Sequence, residues 1–138
     1  MIAYLDSSVV LRLVLGEEGR LGGFQRITRG VSSLLLKVEC LRTIDRLRLS
    51  GRLPAVEVVP RMEAVHRFLE AVDLVDPGRE VLERAAQSFP IALGTLDAIH
   101  LATALLWREL EGEPLVMATH DTALAMAARA SAFTVIGV

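Results

Sequence analysis

The order of apolar and polar positions divides the chain into two alternating patterns. Short runs that predict strands lie at 2–5, 31–33, 72–75, 115–118 and 133–136. Between them, apolar residues recur every three or four positions, which predicts helices. The helices are expected at 7–15, 24–29, 34–49, 54–69, 79–89, 96–110 and 122–130. Strands that alternate with helices in this way indicate an α/β fold, a three-layer sandwich with a mainly parallel sheet flanked by helices.

Glycine, proline and threonine predict where several of these helices begin or end. Gly30 is expected to close the short second helix, and Pro90 the helix that begins at Arg79. Pro60 should bend or break the helix that starts near residue 54, because proline has no N–H for the helical ladder. Thr95 is expected to cap the helix that follows it.

Composition and charge narrow the class of protein. The 138 residues suffice for one domain spanning 1–138, with 52% apolar residues and few aromatic ones to fill its core. No apolar run reaches the roughly 18 residues of a membrane span, and the first residues do not resemble a signal peptide. One cysteine, Cys40, suits a reducing cytoplasm. The net charge of −2 gives no general attraction to nucleic acid, although arginines cluster between Arg42 and Arg61.

Four acidic residues stand beside or within apolar segments. Asp6 and Asp121 each follow a predicted strand, Asp97 lies in the first turn of the most apolar helix, and Glu39 lies within the helix at 34–49. The carboxyl ends of parallel strands lie at one edge of a sheet, where α/β proteins place their chemistry. The four carboxylates are therefore expected to converge there.

Each acid also has a simpler interpretation. Asp6, Asp97 and Asp121 could simply cap the start of a helix, or lie there because the helix dipole favours a negative charge. Glu39 lies among apolar neighbours, and a salt bridge to Arg42 would compensate its burial. Taken together, carboxylates without a histidine or cysteine set favour a hard cation, Mg²⁺ or Mn²⁺. Such ions assist phosphoryl chemistry.

The sequence resembles the PIN-domain ribonucleases, in particular the VapC-type toxins of toxin–antitoxin pairs. Four segments in the family's order carry the resemblance: Tyr4-Leu5-Asp6-Ser7-Ser8, Ser32-Ser33 followed by Glu39-Cys40-Leu41-Arg42, Leu96-Asp97-Ala98-Ile99-His100-Leu101-Ala102-Thr103-Ala104, and Ala118-Thr119-His120-Asp121. Each segment alone is a weak signal, and the specificity lies in finding all four along the whole chain.

This resemblance implies a magnesium-dependent endoribonuclease, with Mn²⁺ as a substitute, that cuts structured RNA and is inhibited by a cognate antitoxin. It implies a homodimer. Asp6 and Asp97 match the principal metal ligands, Glu39 and Asp121 the remaining catalytic acids, and Ser7 and Thr119 the polar residues that orient them. One or two ions would promote in-line attack of an activated water on phosphorus.

Other questions stay open at the level of the sequence. The alternative to an enzyme is a non-catalytic PIN-like module that binds RNA or protein. His100 lies three residues after Asp97 and is more typical of a packed histidine than of a ligand or base. Because of an apolar stripe that could serve the core or bind a partner helix, a hydrophobic antitoxin segment is expected to pack against the region Leu34–Leu69. The stripe consists of Val56, Val59, Met62 and Val65.

Overall fold

A computed structural model describes all residues from 1 to 138 and contains five strands and six α-helices. The strands are β1 (Ile2–Leu5), β2 (Arg29–Ser33), β3 (Asp73–Val75), β4 (Val116–Ala118) and β5 (Thr134–Ile136). The helices are α1 (Ser7–Val14), α2 (Leu35–Leu49), α3 (Ala55–Glu70), α4 (Arg79–Ala85), α5 (Thr95–Glu111) and α6 (Thr122–Ala130), and a short 3₁₀ helix spans Phe24–Arg26.

The strands form one sheet in the order β3-β2-β1-β4-β5, and every pairing is parallel. β1 is central: Tyr4 is paired with Val31 of β2 on one side and with Met117 of β4 on the other. Such a strand is buried on both faces, which explains why β1 is a continuous apolar run. The predicted α/β sandwich with a parallel sheet is confirmed.

Two apolar clusters cover the two faces of the sheet. Successive side chains of β1 point to opposite faces, so Tyr4 joins one cluster while Ala3 and Leu5 join the other. Residues of α5 and α6 pack in the first cluster, and residues of α1, α2 and α3 pack in the second. The helices therefore form the outer two of three layers.

Gly30 lies in β2 and does not end a helix, so that prediction was wrong. A Cβ at this position would lie 2.8 Å from Cγ1 of Val72 and 2.9 Å from Cδ1 of Leu5. The glycine is thus explained by the close approach of two neighbouring side chains to the strand. Local sequence gave no sign of this approach, because both neighbours are distant in the chain.

The interior of one helix and the ends of two others also bear on the prediction. Of the bend or break expected at Pro60, the break does not occur, because α3 continues through this residue. Val56, whose carbonyl loses its partner, is exposed, so water can satisfy that oxygen. α4 ends at Ala85, and the residues up to Pro90 are not helical. Gly94 occupies the cap position of α5, so Thr95 is its first residue and makes no side-chain cap. No helix has the length and apolar character needed to span a membrane.

Candidate active site

The four predicted acids lie around one cavity at the carboxyl edge of the sheet. Asp6 directly follows β1, Asp121 follows the turn after β4, and Asp97 lies in the first turn of α5. Glu39, in the second turn of α2, reaches the same place. The cavity measures about 420 Å³, and the polar residues that line it are Asp6, Ser7, Ser8, Glu39, Arg42, Thr43, Arg46, Asp97 and Asp121.

Asp6 is the most enclosed of the acids, with 3% of its surface exposed. Two hydroxyl groups donate to its Oδ2 atom: Ser8 Oγ at 2.6 Å and Thr119 Oγ1 at 2.9 Å. Asp6 also caps α1 by accepting from the backbone N–H of Ser8. The cap interpretation is therefore correct for Asp6. It is compatible with a role in the cavity because Oδ1 has only two long contacts, with Ser7 Oγ at 3.4 Å and with His100 Nε2 at 3.9 Å.

Thr119 links Asp6 to the turn that carries Asp121. Its hydroxyl donates to Asp6 and accepts from the backbone N–H of Asp121 at 2.9 Å. Oδ1 of Asp121 accepts from the N–H of Leu124 at 2.8 Å and so caps α6. Asp121, like Asp6, is a helix cap that also lines the cavity.

Glu39 is held by His100 and Ser7. His100 Nε2 lies 2.5 Å from Oε1, and Ser7 Oγ donates to Oε2 at 3.1 Å. The alternative of a salt bridge to Arg42 is not observed, and Arg42 pairs with Asp45 at 3.0 Å instead. That simpler interpretation of Glu39 was wrong, and a buried histidine takes the place of the arginine.

His100 is fully buried between Glu39 and Tyr4. The carboxylate of Glu39 can only accept, so Nε2 carries a proton, and in a neutral ring Nδ1 then accepts from the Tyr4 hydroxyl at 2.7 Å. Burial raises the pKa of Tyr4, so its hydroxyl keeps the proton that it donates. Burial lowers the pKa of His100, but the hydrogen bond and charge of Glu39, together with the charges of Asp6 and Asp97, raise it overall.

Asp97 differs from the other acids because its charge is poorly compensated. Burial, followed by the negative charges of Asp121 and Asp6, raises its pKa to about 6. His100 opposes this shift when its ring is protonated, without cancelling it. The carboxylates therefore repel one another, as acids that share one cavity must when no cation compensates them.

The oxygen donors fit a hard divalent cation by their chemistry. The side chains as they stand do not form a complete set of metal ligands. Nowhere are three or more His, Cys, Asp or Glu side chains close enough together to hold a metal ion. The protein's own donors explain this in part, since they occupy both oxygens of Glu39, Oδ2 of Asp6 and Oδ1 of Asp121. Binding a cation through three or more of these acids would require some of their side chains to move.

Sequence reasoning assigned no site role to Tyr4, Ser8 and His100, which hold the acids in place. Only one signal pointed to His100, its position one helical turn after Asp97. Tyr4 and Ser8 both belong to the first of the four family segments, but that pattern does not indicate their contacts. The hydroxyl contact of Ser8 with Asp6 depends on the local turn, and that of Tyr4 with His100 on the packing of α5 against β1.

Comparison with known proteins gives consistent results. A family model described as PIN domain matches residues 3–130. Ribonuclease VapC46 of Mycobacterium tuberculosis is 35% identical over 105 residues, which cover 73% of this chain and 72% of that protein.

Two solved structures share the fold at lower identity. A toxin–antitoxin complex from Klebsiella pneumoniae has a TM-score of 0.63 at 18% identity and covers 88% of both chains. A protein from Pyrobaculum aerophilum has a TM-score of 0.52 at 16% identity and covers 95% of both chains. At these identities the two structures bear on the fold alone.

Proposed function

The chain belongs to the PIN-domain family, and from that membership we propose that it is a divalent-metal-dependent endoribonuclease of the VapC type. In this proposal it is the toxin of a toxin–antitoxin pair and hydrolyses phosphodiester bonds in structured RNA. The single observation that carries the proposal is the convergence of four acids from β1, α2, α5 and the β4–α6 turn on one cavity.

Asp6 and Asp97 would hold the cation, with Glu39 and Asp121 as the remaining acids of the site. Mg²⁺ fits this all-oxygen set, and Mn²⁺ should substitute for it. When bound, such an ion polarises the phosphate and makes water a stronger nucleophile near neutral pH. The negative charges of Asp121 and Asp6 raise the pKa of Asp97, which means that the three carboxylates repel one another. A cation bound between them would relieve this repulsion.

The chain's own residues orient these acids. Ser8 and Thr119 both donate to Oδ2 of Asp6, which leaves Oδ1 without a short hydrogen bond. His100 and Ser7 fix Glu39 from two sides. Positioning of the reacting groups, together with electrostatic stabilisation, is the main contribution that a protein makes to in-line attack at phosphorus. No step in this chemistry requires the ribose 2′-hydroxyl, so preference for RNA depends on contacts outside the four acids.

We further propose that a cognate antitoxin inhibits the protein, that it acts in the cytoplasm and that it forms a homodimer. Exposed leucines on α4 and α5, Leu82 and Leu110, offer apolar surface for a second copy. Sedimentation velocity of wild type and Leu110→Asp tests the dimer, since a monomeric wild type would contradict it.

The test of the enzymatic function is cleavage of a structured RNA, such as total transfer RNA, by purified antitoxin-free protein. Cleavage should require Mg²⁺ or Mn²⁺, stop in EDTA, and fall by more than about 100-fold in Asp97→Asn, beyond what loss of a supporting residue costs. Asp76→Asn is the matched control: Asp76 also follows a strand of the sheet, but it is exposed and lies outside the cavity. RNA binding without any metal-dependent cleavage would favour the non-catalytic binding module.

A further inference from the structure

One row of side chains on α2 leads directly away from the acid cavity. Thr43 Oγ1 donates to the carbonyl of Glu39 at 2.8 Å and accepts from Nη2 of Arg46 at 3.1 Å. Thr43 and Arg46 line the acid cavity and also a second cavity of about 580 Å³, which Ser50 and Arg52 complete. The two cavities therefore form a continuous depression along one face of the helix.

The arginines of this region differ in whether an acid compensates them. Asp45 accepts from Arg42 at 3.0 Å and from Arg48 at 2.8 Å. The hydrogen bond from Arg48 lowers the pKa of Asp45, so this carboxylate stays ionised between the two guanidinium groups. Arg46 and Arg52 make no ion pair with any acid, and both are exposed in the second cavity.

Interactions within α2 give little net stabilisation to an arginine at position 46. Arg42 and Arg46 stand four positions apart, where like charges destabilise a helix by a few tenths of a kcal/mol. The position of Arg46 in the last turn of α2 offers a comparable gain from the helix dipole. Arg48, in the same turn, has the same access to the dipole and is paired with an acid. Arg46 thus keeps, beside the acid cavity, a positive charge that no acid of the protein compensates.

We propose that Arg46 and Arg52 bind backbone phosphates of the RNA strand where it leaves the acid cavity, so that the substrate lies along the Glu39–Ser50 face of α2. This inference rests on the proposed function, because the strand it follows is the one that the acids cut. Arg46 lies seven residues from Glu39, two helical turns or about 10 Å along the axis. A phosphodiester strand continues beyond the bond that is cut, and guanidinium forks suit its phosphates.

The experiment measures RNA binding separately from cleavage. All variants carry Asp97→Asn and are kept in EDTA, and a fluorescent RNA hairpin is titrated at several salt concentrations between 50 and 200 mM. Arg46→Gln with Arg52→Gln should raise the Kd on the order of tenfold. The slope of log Kd against log salt should fall by roughly 0.7 for each arginine removed.

The matched control removes two positive charges without touching the depression. Arg48→Gln takes away the acid-paired arginine of the same helical turn, and Arg67→Gln an exposed arginine near the end of α3, which leads to the opposite edge of the sheet. This control pair should change the Kd less than about threefold and leave the salt slope nearly unchanged. Equal losses in both pairs would overturn the inference, because they would indicate general attraction between charges.

A structural role for the two arginines gives a different result. If they only stabilise α2, the Arg46→Gln and Arg52→Gln protein should melt earlier and bind RNA with an unchanged slope, which would also overturn the inference. The outcome is distinguishable from failure of the proposed function. A wild type that cleaves RNA while the arginine variants bind normally contradicts this inference alone. A wild type that never cleaves, with the expected binding losses, contradicts the nuclease alone.

Discussion

At the scale of single residues, the site depends on side chains that do not face the cavity. His100 is fully buried, and its two ring nitrogens join Tyr4 to Glu39. A buried polar chain of this kind stabilises one orientation only while every member has its partner. Glu39 therefore owes its orientation to a residue on another helix, 61 positions away in the sequence.

The first prediction concerns His100 as a positioning residue. His100→Leu removes the donor to Glu39 and leaves the Tyr4 hydroxyl unpaired, so kcat for RNA cleavage should fall about 10- to 100-fold with KM changed less than about threefold. His100→Gln retains an N–H for Glu39 and should recover part of kcat. A purely structural role would instead lower the melting temperature of both variants with no difference in kcat per folded molecule.

The second prediction concerns the charge of Asp97 at pH 7. Its raised pKa, about 6, means that the ionised form is disfavoured in the folded protein, so Asp97→Asn should stabilise the metal-free protein. Because the residue is only half-buried, we expect a gain on the order of 1 kcal/mol or less, a few degrees in Tm. Millimolar Mn²⁺ should raise the Tm of the wild type more than that of the variant. A wild type indifferent to Mn²⁺ would contradict a metal site at these acids.

At the scale of secondary-structure elements, the sequence predicted the helices and strands well where one pattern acted alone. The 122–130 helix was predicted with the bounds observed for α6, and β1 likewise. The failures occurred where the tertiary surroundings decide. Gly30 is required by the side chains of Val72 and Leu5, and α3 continues through Pro60 because its solvent side tolerates a free carbonyl. Neither the close approach at Gly30 nor the exposure at Val56 leaves a local pattern.

The third prediction concerns Gly137, the residue directly after β5. Gly137 has a φ of +108°, and a Cβ there would lie 2.3 Å from the carbonyl oxygen of Thr119, which is backbone and cannot move aside easily. Gly137→Ala should therefore cost more than about 3 kcal/mol of unfolding free energy and reduce cleavage, because Thr119 holds Asp6.

The control for this variant is Gly51→Ala. Gly51 has a φ of +72° with no atom within 4 Å of a Cβ, so this substitution should cost only the backbone strain, about 1–2 kcal/mol. Equal costs for the two variants, measured by urea unfolding, would show that the contact with Thr119 is unimportant.

At the scale of the whole molecule, the meeting of the four acids was predictable because it follows from topology. In a parallel sheet, the residues after β1 and β4 must share an edge, and the helices that start there bring Asp97 and Glu39. The supporting residues were not predictable, since they depend on which side chains the packed layers bring together. Tyr4 and His100 lie 96 positions apart, and neither position alone indicates the other.

The apolar stripe of α3 divides between core and surface in a way that the sequence left open. Val65 is buried against the sheet, whereas Val56 and Val59 are 83% and 61% exposed. Met62 is also exposed and lies over a small depression with Leu41 and Val58. The first part of α3 thus presents apolar side chains that this chain does not cover, as expected of a surface that binds a partner.

The last prediction is that this partner is the antitoxin of the proposed pair. If an apolar antitoxin segment packs on the first half of α3, Val59→Asp with Met62→Asp should weaken binding of the cognate antitoxin by at least about 100-fold, because two apolar anchors become charged. Both side chains are exposed, so the melting temperature and the cleavage of RNA should stay near wild type.

Met126→Asp is the control for this double variant. Met126 is 53% exposed on α6, on the other face of the sheet, and its replacement should leave antitoxin binding intact. Full binding by the α3 double variant in calorimetry would place the antitoxin elsewhere, and the exposed stripe would then need a different occupant.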